Sequence, residues 1–380
     1  MRSAPSAALG PVVLALGLSL LAGCPDINRD PTEPEPVDGG TAPAPDGRPG
    51  TGAFDLLYTR WVTGSTPTPG PELVLGSFAG DTHVVAQLDG GVSGVSRAAV
   101  SPDGARVAYT TYDDATSSWA LVVRALAGGD PTVIGHAYGF AQPSWSPDGT
   151  RIAFASSDEG ISVVDAAGGP ATLVAPLTLA DACTAPRWSR DGSELVFADG
   201  LGGIFTYRFA EKRAVPVVAP GSEVSACAPT WSPDGQSIAY AVTGDPGRIA
   251  RVARTGGAAT TIAPLFGGYG VGELAWSPDG RQLAFVDFDD SIQDGAVRVV
   301  DAAGGTPRIL DHTNSGIRGG HPVWSPDGTS LLYLVFDDAV SNPRLWIVDV
   351  ANGARLALPH VGAAIDGAYP AWLPAPIVIR

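Results

Sequence analysis

Pairs of acidic residues recur along the sequence at positions where a cation or a basic partner could bind. The pairs are Asp113-Asp114, Asp158-Glu159, Asp289-Asp290 and Asp337-Asp338, and each begins four residues after an aromatic residue. Paired carboxylates are suitable ligands for a hard cation such as Ca²⁺. Two interpretations stay open: the pairs are ordinary solvated turn residues, or they form a partner-binding surface or weak calcium sites.

Four histidines give a third interpretation, in which imidazole ligands converge on a transition metal. They are His136, His312, His321 and His360, and each precedes one of the Trp-containing segments described below. Neutral imidazole is a common ligand for such metals. The chain has no His-x-His or His-Glu-x-x-His motif to support the site locally. It also lacks the Gly-x-Ser-x-Gly elbow of nucleophilic hydrolases, which argues against that enzyme class.

A repeated segment must position these residues. Copies of Trp-Ser-Pro-Asp-Gly begin at Val100 (Val in place of Trp), Trp145, Trp188 (Arg190 in place of Pro), Trp231, Trp276 and Trp324, and a degenerate copy ends at Trp372. Successive copies are 43 to 48 residues apart. A period of this length is typical of a propeller or a solenoid.

Each repeat reads as four short β-strands with no helical periodicity. In Ser-Pro-Asp-Gly, Pro presets φ for a tight turn and Gly accepts the left-handed conformation that closes it. The turn aspartates are therefore expected to be structural, and the Trp and the aromatic residue after the turn should fill the space between neighbouring sheets. The acidic pairs and the histidines should lie together on the face opposite these turns.

The Trp-Ser-Pro-Asp-Gly copies, each followed by an aliphatic-Ala-aromatic run, resemble the TolB-type, WD-like β-propeller repeat family over roughly residues 53 to 380. The resemblance implies an all-β propeller that acts as a binding platform. We count seven blades, with six or eight also compatible with the repeats, and a composite blade built from both ends closes the ring. Its Trp strand is expected at residues 368–372. Oligogalacturonate lyases resemble the same family and bind a metal through propeller histidines; Gln142 and His321, each three residues before a Trp, invite that comparison.

The N-terminal residues predict export. The apolar run from Leu9 to Leu21, followed by small residues, indicates a signal peptide over 1–23. Leu21-Ala22-Gly23-Cys24 resembles a bacterial lipobox, which implies that Cys24 carries lipid, palmitate included, and anchors the protein to a membrane. Residues 24–52 are rich in Pro, Gly and acidic residues and are expected to form an extended tether ahead of the propeller at 53–380.

The two remaining cysteines, Cys183 and Cys227, are 44 residues apart, which is close to one repeat. In an oxidising compartment this spacing favours a disulfide between adjacent blades, with two buried thiols as the alternative.

Net charge and composition limit the classes of partner that the protein can bind. The net charge is −16 and Lys212 is the only lysine among 23 basic residues, which argues against a nucleic-acid partner.

Taken together, these features of the sequence predict a monomeric, non-catalytic scaffold in the cell envelope, at the periplasm or cell surface, that binds an envelope protein or an extracellular ligand. No cofactor is expected apart from calcium. The alternative is a metal-dependent propeller enzyme similar to the oligogalacturonate lyases.

Overall fold

The structure is a computed structural model, and it describes β-strands joined by turns and loops. The described residues are 54–62, 70–78, 81–87, 98–113, 116–139, 142–157, 160–177, 185–223, 226–244, 246–266, 273–289, 294–312, 321–337, 342–358 and 370–377. Within these ranges there is no helix long and apolar enough to cross a membrane. The predicted signal peptide, Cys24 and the tether lie outside them.

The described strands alternate with turns at the period of the repeat. In chain order they are β1 Phe54–Val62, β2 Gly70–Gly76, β3 Thr82–Gln87, β4 Ala99–Val100, β5 Arg106–Asp113, β6 Ser118–Ala125, β7 Thr132–Ala137, β8 Ser144–Trp145, β9 Arg151–Ser156, β10 Gly160–Asp165, β11 Thr172–Pro176, β12 Arg187–Trp188, β13 Glu194–Ala198, β14 Ile204–Arg208, β15 Arg213–Val218, β16 Ala226–Trp231, β17 Ser237–Val242, β18 Arg248–Ala253, β19 Thr260–Pro264, β20 Ala275–Trp276, β21 Gln282–Asp289, β22 Asp294–Asp301, β23 Arg308–His312, β24 Val323–Trp324, β25 Ser330–Asp337, β26 Asn342–Asp349, β27 Arg355–Ala357 and β28 Ala371–Ile377.

These strands group into four-stranded antiparallel units, which we call blades 1 to 7. Blade 1 has the order β28-β1-β2-β3, and blades 2 to 7 take the following strands four at a time, from β4–β7 to β24–β27. Blades 2 and 3 are joined into one sheet by a single pairing, Ala137 with Ser156. This arrangement confirms the predicted all-β propeller.

The ring is closed by strands from both ends of the chain. The innermost strands contact one another in the order β4, β8, β12, β16, β20, β24, β28 and back to β4. Strand β28 pairs with β1 through Leu56 with Trp372 and Leu57 with Ala371. The strand begins at Ala371, later than expected, and runs on to Ile377. Pro370 precedes it and has no N–H to donate to a ladder.

Antiparallel connection divides the loops between two faces. The Ser-Pro-Asp-Gly turns, between first and second strands, share one face with the connections between third and fourth strands; we call this the turn face. The connections between second and third strands, and those from one blade to the next, lie on the other face, which we call the loop face. The core lies between blades: Phe154, Phe197, Tyr240, Phe285 and Tyr333 are completely buried there.

Each turn is held by the same hydrogen bonds. The Ser Oγ donates to Asp Oδ1 at 2.5–2.6 Å and accepts the backbone N–H five residues on at 2.9–3.0 Å. The same Asp Oδ1 accepts the backbone N–H two residues on at 2.9–3.0 Å. The Gly has φ between 67° and 74° in all six copies, which a side chain would strain. The aspartates are structural, as predicted.

The two irregular copies keep this geometry. In the third copy Arg190 replaces Pro, yet Ser189 and Asp191 make the same bonds at 2.6 Å and 2.9–3.0 Å. Arg190 also donates to the Pro233 carbonyl of the next blade at 3.2 Å. Val100 of the first copy packs in the core between blades 1 and 2. The Ser-Asp pair therefore defines the turn, and Pro and Trp are dispensable to it.

The tryptophans connect neighbouring blades. The indole Nε1–H donates at 2.8–3.2 Å to the main-chain carbonyl of the residue that precedes the equivalent position in the blade before it; the pairs are Trp145 with Ala99, Trp188 with Ser144, Trp231 with Arg187, Trp324 with Ala275 and Trp372 with Val323. Trp276 is the exception, because its buried Nε1 has no acceptor among the described residues.

We expect the turn carboxylates to make stability depend on pH. Hydrogen bonds from Ser146 and from Thr150 lower the pKa of Asp148 from 3.8 to about 2, and the pKa values of the other five turn aspartates are also lowered. Between these pH values the unfolded chain binds more protons than the folded one, so the stabilisation is complete above about pH 4 and is lost towards pH 2. Asp148→Asn should have a lower Tm at pH 7 and a smaller fall of Tm on acidification. Identical pH profiles for the two proteins would contradict this role.

The tryptophan bonds can be tested with an internal control. Trp145→Phe removes the bond to Ala99, whereas Trp276→Phe removes an indole N–H that has no acceptor among the described residues. Both substitutions replace an indole with a phenyl ring, and only Trp145→Phe also removes a hydrogen bond, so it should cost about 1 kcal/mol more in the free energy of unfolding. Urea titration of both variants measures the difference, and equal losses would show that the bond contributes nothing.

Candidate functional site

In each repeat the residue immediately before the Trp of the innermost strand, or before Val100, is partly exposed. It therefore lines the central channel. These residues are Ala99, Ser144, Arg187, Thr230, Ala275, Val323 and Ala371. Arg187 is the only charged and the only long side chain among them. Core packing does not require an arginine in a register otherwise occupied by small side chains.

Arg187 contacts side chains from two other blades. Its Nη2 donates to Gln142 Oε1 of blade 3 at 2.6 Å and forms an ion pair with Glu273 Oε1 before blade 6. Arg187 is in blade 4, so the ion pair reaches past blade 5 to the connection that leads into blade 6. The side chains of Arg187 and Glu273 are 26% and 25% exposed. We call Gln142, Arg187 and Glu273 the channel cluster.

The register of the repeat explains why these residues meet. Gln142 and Glu273 each lie three residues before a Trp, as does His321 before Trp324. Equivalent positions in a closed ring face the same end of the channel, here the end on the loop face. His321 is buried, with 8% of its surface exposed. Gln142 and His321 were identified from the sequence, whereas Arg187 and Glu273 were missed; their register relative to the Trp was the available signal.

A buried ion pair fixes one aromatic residue on the loop face. Arg298 Nε lies 2.5 Å from Asp287 Oδ1, and their side chains are only 4% and 1% exposed. Asp287 Oδ2 also accepts the backbone N–H of Phe266 at 3.1 Å, and the Arg298 guanidinium lies 4.2 Å from the centre of the Phe266 ring. Breaking such a buried pair would leave an uncompensated charge, so the pair is costly to separate. Because Phe266 contacts both members of the pair, it is held in place with them.

Exposed apolar residues are distributed unevenly. Tyr138, Leu201 and Phe266 lie in loop-face connections of three different blades and are 53%, 67% and 39% exposed. The other large apolar side chains exposed in the described part of the chain lie on outermost strands; they are Val84, Val133, Leu173 and Ile309. Leu201 is also held by an ordered loop, because the buried Asp199 carboxylate accepts the backbone N–H groups of Leu201 and Gly203 at 2.7 and 2.8 Å.

The structure separates the histidines that the metal interpretation requires. His136 lies in β7 and His312 ends β23, so both are on outermost strands and exposed, rather than in loops leading to the channel. Only His321 lies beside an innermost strand, and His360 is outside the described residues. Within the described ranges no three His, Cys, Asp or Glu side chains come together as a metal site. These described residues do not fit a channel metal held by several histidines.

The acidic pairs are only partly described. Asp113, Asp289 and Asp337 end the second strands of blades 2, 6 and 7, which places their main chain on the loop face. Asp114, Asp158, Glu159, Asp290 and Asp338 lie outside the described residues. A calcium site or an acidic binding surface at these pairs stays a prediction.

Cys227 lies in β16, is 4% exposed and is disulfide-bonded. Cys183 lies outside the described residues, so the pairing of the two stays a prediction.

The comparisons with solved structures agree with this fold. TolB from Acinetobacter baumannii is 19% identical with a TM-score of 0.52, covering 80% of this chain and 79% of its own. A putative 6-phosphogluconolactonase from Bacteroides uniformis is 16% identical with a TM-score of 0.58, covering 84% and 99%. The periplasmic gluconolactonase PpgL from Pseudomonas aeruginosa is 20% identical with a TM-score of 0.56, covering 85% and 100%. At these identities the likeness concerns the fold alone.

No curated protein sequence matches the chain. The TolB beta propeller domain family (PD40) matches residues 85–245 and 174–376, which together span most of the sequence. The repeats, the composite blade and this match lead to one conclusion: the chain belongs to the TolB β-propeller family.

Proposed function

We propose that this protein is an exported, lipid-anchored scaffold that binds another envelope protein through its loop face. The observation that carries the proposal is the placement of Tyr138, Leu201 and Phe266, exposed apolar residues from three blades on one face. Aromatic and apolar anchors surrounded by polar groups are typical of protein interfaces. Within the described residues the turn face carries no large exposed apolar side chain.

Rigidity supports the same proposal. The backbone N–H groups of two of the three anchors, Leu201 and Phe266, donate to the buried carboxylates of Asp199 and Asp287. A loop whose backbone is already ordered loses less conformational entropy when a partner binds, so more of the contact energy contributes to affinity.

The location rests on the N-terminal residues and on the family. Lipid on Cys24 would anchor the protein, and residues 25–52 would hold the propeller away from the membrane. Export to an oxidising compartment agrees with a disulfide at Cys227. One protein of similar fold is described as a periplasmic gluconolactonase, which supports an envelope location without assigning that activity to this chain.

The binding face can be tested by paired substitutions. Leu201→Ser and Tyr138→Ser alter the loop face, while Val133→Ser and Ile309→Ser alter exposed apolar residues on outermost strands. After crosslinking in envelope extracts, quantitative mass spectrometry should identify a partner whose recovery falls about fivefold or more in the loop-face variants, because interface anchors contribute more than about 1 kcal/mol. Recovery should be unchanged in the two controls. Equal recovery in all four variants would contradict the assignment of the face.

Anchoring can be tested separately. Cys24→Ala should release the protein from the membrane fraction and abolish labelling with radioactive palmitate, because lipid on this residue supplies the anchor. Cys227→Ala is the matched control, since it removes another cysteine and should leave membrane association unchanged. A Cys24→Ala protein that still sediments with membranes would show that the anchor is elsewhere.

A further inference from the structure

The guanidinium of Arg187 has unused hydrogen-bonding capacity. Its contacts with Gln142 and Glu273 both use Nη2, and within the described residues Nε and Nη1 make no hydrogen bond. A guanidinium presents its donors as a planar fork that matches the two oxygens of a carboxylate. Both bidentate edges of a guanidinium include Nη2, so an incoming carboxylate can accept a single N–H from Nε or from Nη1, and it binds bidentately only where Gln142 or Glu273 leaves Nη2. The Arg187 side chain is about a quarter exposed.

A second loop-face arginine provides a comparison. Arg248 Nη2 lies 2.6 Å from both oxygens of Glu223, which precedes β16 in the connection into blade 5, the blade that contains Arg248. That pair is therefore local to one blade. Arg187 also uses Nη2, but its partner Glu273 lies beyond blade 5, and the same nitrogen donates to Gln142.

The partner of Arg187 is also exchangeable. Glu273 is 25% exposed, and an ion pair that water can reach contributes little net stability. A second carboxylate that enters the channel could accept from Nε or Nη1, or displace Glu273 from Nη2 and bind bidentately. Glu273 would then act as an internal competitor of the incoming group.

We propose that the channel cluster is a binding site for a carboxylate group, with Arg187 as the residue that recognises it. The inference goes beyond the proposed scaffold function, because it concerns the channel and does not depend on Tyr138, Leu201 or Phe266. The carboxylate could belong to a small free acid or to an acidic side chain of a partner, and both present the same group to Arg187.

The test measures binding of defined probes to the complete protein by calorimetry and by ligand-observed NMR. The probes are succinate for a free acid and acetyl-aspartyl-amide for an acidic side chain, with succinamide as the uncharged control. Arg187→Gln should weaken carboxylate binding about tenfold or more, because the charge and the fork are lost. Arg187→Lys should be intermediate, since it keeps the charge without the fork.

Glu273→Gln is the decisive variant. Removing the internal competitor should strengthen carboxylate binding, whereas a merely structural ion pair would give lower stability and no change in binding. Arg248→Gln is the matched control, as it breaks a loop-face ion pair outside the channel and should leave binding unchanged. Binding of succinate alone would identify a free acid as the source, and binding of the aspartyl probe alone an acidic side chain.

Three results would overturn the proposal: no probe binding to the wild type and Glu273→Gln, equal binding by Arg187→Gln, or equal binding of succinamide. None of these results bears on partner recovery through Leu201 and Tyr138, so the two proposals fail separately.

Discussion

The hydrogen bond from a tryptophan indole to a carbonyl of the preceding blade joins five of the seven neighbouring pairs of innermost strands in this ring. It occurs at Trp145, Trp188, Trp231, Trp324 and Trp372. Each bond orients one innermost strand against the next, and the indole fills the space between the two sheets. Because Trp372 lies in the last strand and that strand pairs with the first, the series ends in a closed ring without a free inner edge.

The blades vary in how they fill equivalent positions. Gly135, on the outermost strand of blade 2, faces Phe154, and an added Cβ would lie 3.1 Å from its ring. The equivalent residue in blade 6 is Asp311, which accepts a hydrogen bond from the Tyr333 hydroxyl and a second one, at 2.7 Å, from Arg355. A phenyl ring requires only space, whereas a buried hydroxyl requires a partner. At these two places the outermost strand of one blade accommodates the aromatic residue of the next blade without changing the frame.

Because blades can differ at equivalent positions within one frame, one face of the propeller can present the residues that bind a partner. The turn face is occupied by the repeated Ser-Asp hydrogen bonds, which leave little freedom for substitution. The loop face has no such repeated structure, and its residues differ from blade to blade, as Tyr138, Leu201 and Phe266 do. A rigid frame with variable loops places binding residues accurately while leaving their identity free.

The sequence by itself determined the local structure of this protein. The period, the strand alternation and the Ser-Pro-Asp-Gly turns act over a few residues, so they predicted the all-β propeller, the structural aspartates and the composite blade. Only the tertiary structure brought Arg187 to Glu273, which are 86 residues apart, and placed Phe266 against a buried ion pair. It also placed His136 and His312 on outermost strands rather than in loops that lead to the channel. Such contacts depend on how the blades pack around the channel, and the register of the repeat alone does not specify which of the equivalent positions meet.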